Sequence, residues 1–210
     1  MKNIKNFNGN YEFLEYMGDS LNLDVCKAIE GKAFLIKDRC YFKYLHREDR
    51  IEYNKNIIMS TDFDFKTFLF PTEIFLVGNY IAGYKTEFFP NDIFNKMDVK
   101  EGITFDLRKL YKARKKMISD IKKLSFNNYK ITNIKDNLMF DGEKLVAINT
   151  LGYHKIDNVR YVENLVALDS AINYRLSKIE PMVKPFIDMP TDEVMKKIVK
   201  NNHSYYLKVK

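Results

Sequence analysis

The stretch NLMFDGEKLVAIN, residues 137 to 149, places two short apolar runs on either side of Asp141-Gly142. Such a pair reads as a two-residue hairpin turn of type I′, which demands φ > 0 at both central positions. Asn137 stands at the start of the hairpin, and its end reads Ile148-Asn149-Thr150, without a carboxylate. A neutral amide is a poor Mg²⁺ ligand, since that ion favours carboxylates. Other chemistry-bearing types are scattered. His46, His154 and His203 form no ligand pattern, and Cys26 and Cys40 give neither a disulfide framework nor a metal spacing. Both cysteines fall in strand-like runs, where a small buried thiol is expected.

The elements that must position these residues follow from periodicity. Residues 1 to 20 read as a lead-in segment or edge strand. Three short β-rich runs, Val25–Ile29, Lys32–Ile36 and Cys40–Leu45, are joined by tight connections and predict an antiparallel meander. His46 to Met59 carries Ile51, Ile57 and Ile58 at roughly helical spacing and predicts a helix. Glu73–Val77 and Tyr80–Tyr84 flank Gly78-Asn79, a second hairpin signal. After Phe89-Pro90-Asn91 the pattern turns helical. Asp106 is the expected cap of a helix whose stripe is Leu107, Leu110, Tyr111, Met117, Ile118, Ile121 and Leu124. A further helix from about Val159 to Ile179 has the stripe Val162, Val166, Asp169, Ile172 and Leu176. Beyond three prolines, Thr191 is expected to cap a last helix from Asp192 to about Asn201.

A small sheet with one helix, a short connection, then a helical part with one embedded hairpin resembles a diverged, compact member of the protein-kinase-like superfamily. The resemblance spans about residues 20 to 150. It implies an α+β, two-lobed fold: an N-lobe over 1–89, with a five-stranded antiparallel sheet plus one helix, and a reduced, mainly helical C-lobe over 90–210 with the hairpin at about 138–148.

The resemblance also assigns roles. Lys43, on the third strand, takes the place of the lysine that grips nucleotide phosphates, and Glu52 (or Glu48) that of its helix-borne partner. Asn137 takes the place of a metal-binding asparagine. With Lys43 and Glu52 it makes up a candidate remnant of a nucleotide cleft. Thr86-Glu87-Phe88-Phe89 falls where a kinase hinge presents backbone to adenine. The proton-accepting Asp five residues before that Asn is Thr132 here, with no HRD-like triplet, and the metal-binding Asp beyond the hairpin is Asn149. The loop that should cradle phosphates, Gly18 to Asp24, has one glycine, two acids and two leucines. An acid there repels phosphate. Nothing resembles an Ala-Pro-Glu anchor, and only about 60 residues follow the hairpin.

These positions imply a pseudokinase-type regulatory or interaction module without phosphoryl transfer. It is expected to bind a protein partner, to carry no metal and no Mg²⁺, and to hold a nucleotide weakly if at all. The alternative is an active atypical phosphotransferase in which Asp136, Asp141, Asp157 or Asp169 supplies the carboxylates. The formal charge of +7 and pI near 9.1 keep a third class open, a basic nucleic-acid-binding protein. The run Lys112-Ala113-Arg114-Lys115-Lys116 is expected instead to be the solvated face of a helix. No apolar stretch of spanning length and no leader pattern is seen, so a cytoplasmic protein is expected. The Lys-, Asn- and Ile-rich composition points to a low-GC bacterium or its phage.

Overall fold

The computed structural model describes residues 3–22, 33–36, 40–89, 92–96, 104–158 and 160–208. The expected strand Val25–Ile29, with Cys26, lies outside them. In chain order the elements are β1 (Asn3–Phe7), α1 (Asn10–Asp19), β2 (Ala33–Ile36), β3 (Cys40–Tyr44), β4 (Ile51–Glu52), β5 (Glu73–Val77) and β6 (Tyr80–Glu87). They continue with α2 (Ile93–Lys96), β7 (Thr104–Asp106), α3 (Leu107–Phe126), β8 (Tyr129–Lys130), α4 (Ile134–Asn137), β9 (Leu138–Phe140) and β10 (Leu145–Ala147). Last come β11 (His154–Lys155), α5 (Tyr161–Ile179), α6 (Thr191–Asn202) and β12 (Tyr206–Lys208). The protein is thus of mixed α+β class. The chain divides into two compact units, Met1–Asp64 with Leu69–Phe89, and Phe65–Phe68 with Pro90–Lys210. Among the described residues no helix is long and apolar enough to cross a membrane.

Among the described residues the first unit is built on a six-stranded sheet in the order β1-β5-β6-β3-β2, with β4 also on β6. The β5–β6 hairpin forms where Gly78-Asn79 predicts it, and Gly78 takes φ +61. The sheet is mixed rather than antiparallel: β1 runs parallel to β5, from Asn3 opposite Glu73 to Phe7 opposite Val77. Among the described residues the α-helix of this unit is α1, drawn from the start of the chain. It buries Phe13 and Met17 against Phe7, Phe42, Tyr44 and Phe75. Each such side chain contributes about 1.5–3 kcal/mol. Gly83 is required at the centre of this packing, because a Cβ there would sit 2.8 Å from the Lys43 carbonyl oxygen and 2.9 Å from the Phe42 ring.

Residues 46–59 do not form the expected helix. They hold one 3₁₀ turn, Arg47–Asp49, and the short strand β4. The Asn54 side chain accepts from the Asn56 N–H at 2.8 Å, a local turn that competes with helix formation. Ile57, Ile58 and Met59 are all buried in succession, which no single helix face allows.

In the second unit α3 follows its predicted stripe. Leu107, Leu110, Met117, Ile121 and Leu124 are buried, and the Asp106 carboxylate accepts from the Arg108 N–H at 2.9 Å as cap. On α5 the stripe shifts. Val162 and Val166 are 62% and 50% exposed, while Leu168, Asp169, Ile172 and Leu176 are buried. Thr191 is the first residue of α6 rather than its cap; its hydroxyl turns inward and donates to the Asp169 carboxylate at 2.9 Å. That carboxylate also takes two bonds from Arg114, at 2.7 and 2.9 Å, in a buried bidentate pair. Residues 65–68 belong to this unit through Asp120 on α3. Its Oδ2 accepts from the Lys66 N–H, the Thr67 N–H and the Thr67 hydroxyl at 3.0, 3.1 and 2.8 Å. The Ala147 N–H donates to the Thr67 carbonyl at 2.8 Å.

Candidate functional site

The residues singled out by the sequence fall in both units. Lys43 and Glu52 lie in the first. Lys43 is half-buried on β3, opposite Ala33 and Tyr84, and Glu52 is exposed on β4, opposite Tyr80. Glu52 therefore does not sit on a helix behind Lys43. Four residues of β6 separate their register positions, on the order of 13 Å at strand rise. The two form no ion pair. Glu48, in the 3₁₀ turn, is exposed as well. Gly18 and Asp19, expected in a phosphate-facing loop, are the last turn of α1.

Thr132, Asn137 and Asn149 are brought together in the second unit. Its framework is a pair of nested antiparallel pairings: β8 with β11 outside, β9 with β10 inside. The segments 131–137 and 148–152 connect the outer pair to the inner one. The Ile148 N–H donates to the Asn137 carbonyl at 2.9 Å, which places the two ends of the hairpin side by side. The Thr132 hydroxyl donates to the Gly152 carbonyl at 3.0 Å. Asn137 turns its amide back onto the Asn133 carbonyl at 2.7 Å. Asn133 and Asn149 both hold the left-handed conformation, at φ 51 and 54. Asparagine is among the few side chains that tolerate it.

The hairpin turn is longer than predicted. β9 and β10 pair last at Phe140 and Leu145, leaving a loop of residues 141–144. Gly142 takes φ +97, but Asp141 does not take a positive φ. Instead the Asp141 carboxylate accepts from the N–H groups of Glu143 and Lys144 at 2.8 and 2.6 Å, an Asx turn that closes the loop from the side chain.

A residue that sequence reasoning missed holds the whole layer. Asn164 on α5 is buried. Its carbonyl oxygen accepts from the Ile131 N–H at 2.9 Å, and its amide donates to the Ser125 hydroxyl and the Tyr129 carbonyl, each at 2.9 Å. With Ser125 bound to the Ile121 carbonyl at 2.8 Å, the loop is fastened to the end of α3. A polar Asn on the buried side of an amphipathic helix was the available signal.

Two cations flank this loop. Lys135 stacks over the Tyr174 ring at 3.9 Å, and Arg175 donates to the Asp136 carbonyl at 3.0 Å. Tyr153, next to the loop, is buried, and burial pushes its phenol well above its ordinary value, so it stays protonated. Of the alternative carboxylates, Asp169 is bound to Arg114, Asp141 closes its own turn, and Asp136 and Asp157 are exposed. Among the described residues no cluster of three or more His, Cys, Asp or Glu side chains is arranged to hold a metal ion. The Thr132 hydroxyl and the Asn137 amide, both neutral, are each bonded to a neighbouring carbonyl.

No protein-family model matches the chain, and no curated protein matches it.

Proposed function

We propose that the chain is a pseudokinase-type module: a diverged, two-lobed protein-kinase-like scaffold that acts by binding a partner and does not transfer phosphate. The observation that carries this is the state of Thr132 and Asn137. At the positions where phosphoryl transfer needs a proton acceptor and a metal ligand, a hydroxyl and an amide are spent on the backbone carbonyls of Gly152 and Asn133. Phosphoryl transfer depends on positioning and charge neutralisation, so a neutral, internally bonded loop lacks its main contributions. Asn149 adds a third neutral side chain where the second metal-proximal carboxylate would stand. In this reading any nucleotide is held weakly and without Mg²⁺, since the side chains at 137 and 149 offer the ion no carboxylate.

The second possibility, an active atypical phosphotransferase, needs carboxylates that are not already committed. Asp169 in its buried ion pair and Asp141 in its turn both weigh against it.

The test is turnover of γ-labelled ATP with Mg²⁺ or Mn²⁺, read as phosphate release and as transfer to protein, beside a Lys43→Ala variant. Equal background rates for the two proteins are expected. Turnover well above the variant would put the active phosphotransferase first.

A further inference from the structure

We infer that the groove between α3 and α6 is a docking site for an acidic segment of a partner protein, one whose carboxylates alternate with aliphatic or aromatic side chains. The inference deepens the binding-module proposal and rests on it, naming the chemistry of the partner.

The groove has a volume of about 810 Å³ and lies wholly within the second unit. Its floor is apolar: Leu107 and Met195 are buried beneath it, with Val199 and Tyr111 beside them. Its rim is basic. Lys196 and Lys200 stand four residues apart on one face of α6, and Lys112 lines the groove from α3; all three are exposed. None of the three has a carboxylate partner among the described residues.

Two carboxylates line the same groove, and only Asp106 is neutralised, because the Arg114 guanidinium that Asp192 faces is already paired with Asp169. Asp106 is held by the Arg108 guanidinium at 3.1 and 3.0 Å, and Asp192 faces Arg114 at 3.8 Å. Arg108 is itself fixed, lying 5.5 and 5.0 Å from the Tyr205 and Tyr206 rings and bonded to the Tyr206 hydroxyl. Lys109 is taken up by Glu143. The remaining cations, Lys112, Lys196 and Lys200, outnumber the one incompletely compensated carboxylate, Asp192, around an apolar floor.

That combination selects the occupant. Side chains four apart on a helix lie about 5–6 Å apart, so a partner helix with carboxylates one turn apart meets Lys196 and Lys200 in register. Its intervening apolar side chains then cover Leu107, Met195 and Val199. A nucleic-acid backbone would satisfy the lysines but leave the apolar floor unused. The formal charge of +7 on the whole chain would speed encounter with an acidic partner.

The experiment uses the full chain and a fluorescein-labelled helical peptide of about 16 residues, long enough to hold a helix, composed of Glu, Leu and Ala with glutamates at i and i+4. Anisotropy titrations compare the wild type, the groove variant Lys112→Glu/Lys196→Glu/Lys200→Glu, and a control variant of equal charge, Lys116→Glu/Lys144→Glu/Lys155→Glu. A single-stranded oligonucleotide of matched charge is titrated alongside. The expected result is that the peptide binds, that the groove variant weakens it about tenfold or more, and that the control variant changes it less than about threefold, as short-range contacts outlast screened long-range charge. Replacing the peptide's leucines with serine should weaken binding by a similar factor.

Three results would overturn the inference: no peptide binding, equal loss in both variants, or tighter oligonucleotide binding abolished by the groove variant. ATP turnover, measured on the same preparations, reads the pseudokinase proposal separately. A silent peptide titration with background turnover rejects only the docking site, and high turnover rejects the broader proposal.

Discussion

Replacing Asp169 by Ala strips Arg114 of both short hydrogen bonds, at 2.7 and 2.9 Å, and Thr191 of its acceptor at 2.9 Å. The guanidinium then sits with its side chain only 8% exposed, and its nearest remaining carboxylate oxygen, on Asp192, is 3.8 Å away. In the intact protein burial pulls the Arg114 guanidinium down, but the hydrogen bonds and charge of Asp169 outweigh it and hold the group above its ordinary value. Leaving a buried charge without its partner costs about 3–5 kcal/mol. For a chain of this length each kcal/mol moves the melting midpoint by about 2–4 °C, so Asp169→Ala should lower it by roughly 6–20 °C. The matching double variant, Arg114→Met/Asp169→Leu, removes both charges and fills the space, and should recover most of that loss. Urea unfolding followed by the helical circular dichroism signal reads both. If Asp169→Ala costs less than about 1 kcal/mol, or if the double variant is no more stable than the single one, the pair is not the buried, mutually dependent contact described here.

Two further outcomes follow from other contacts. Gly83→Ala should destabilise the first unit by about 1–3 kcal/mol in urea unfolding, since its Cβ would press on the Lys43 carbonyl and the Phe42 ring; an unchanged midpoint would mean that β6 can shift. At Asp106, hydrogen bonds from the Arg108 side chain hold the carboxyl below its ordinary value, so its stabilising effect is present above the unfolded value near pH 4 and lost as pH falls through the lower folded value. The stability gap between wild type and Asp106→Asn, which keeps the cap, should therefore close on acidification from pH 6 to about pH 3. A gap that widens in acid would contradict the assignment.

Local signals in the sequence translated well where one element decided its own form. The α3 stripe and its Asp106 cap, and the Gly78-Asn79 turn, depend on neighbours within a few residues, and each stands where the periodicity predicts. The parallel pairing of β1 with β5 joins residues some 70 apart, and nothing in either strand announces the other. The false helix at 46–59 came from isoleucine spacing, while the Asn54 side chain favoured a turn. Val162 and Val166 were misplaced because a stripe on α5 says which residues share a face, not where along the helix that face meets the core. For the candidate site, the neutral types at 132, 137 and 149 were legible. Their occupation by the Gly152 and Asn133 carbonyls, and the fastening of the loop by Asn164, required the fold.

The attachment of residues 65–68 to Asp120 has a consequence for the order in which the chain is made. These residues leave the ribosome ahead of Asp120 by about 53 positions, the separation between Thr67 and its acceptor. At a synthesis rate of 5–20 residues per second, that is a wait of roughly 3–10 s. During it the strands of the first sheet through β6 are synthesised, but the Asp120 acceptor of the Lys66 and Thr67 N–H groups is not. The loop is thus left open for a stretch of chain not yet synthesised, and the nascent protein cannot complete its second unit by adding residues after 89 alone. A truncation that begins at residue 90 would take from the Asp120 carboxylate its three donors on Lys66 and Thr67 while leaving Lys123 at 3.4 Å, which makes the helical half dependent on a piece of chain translated before it.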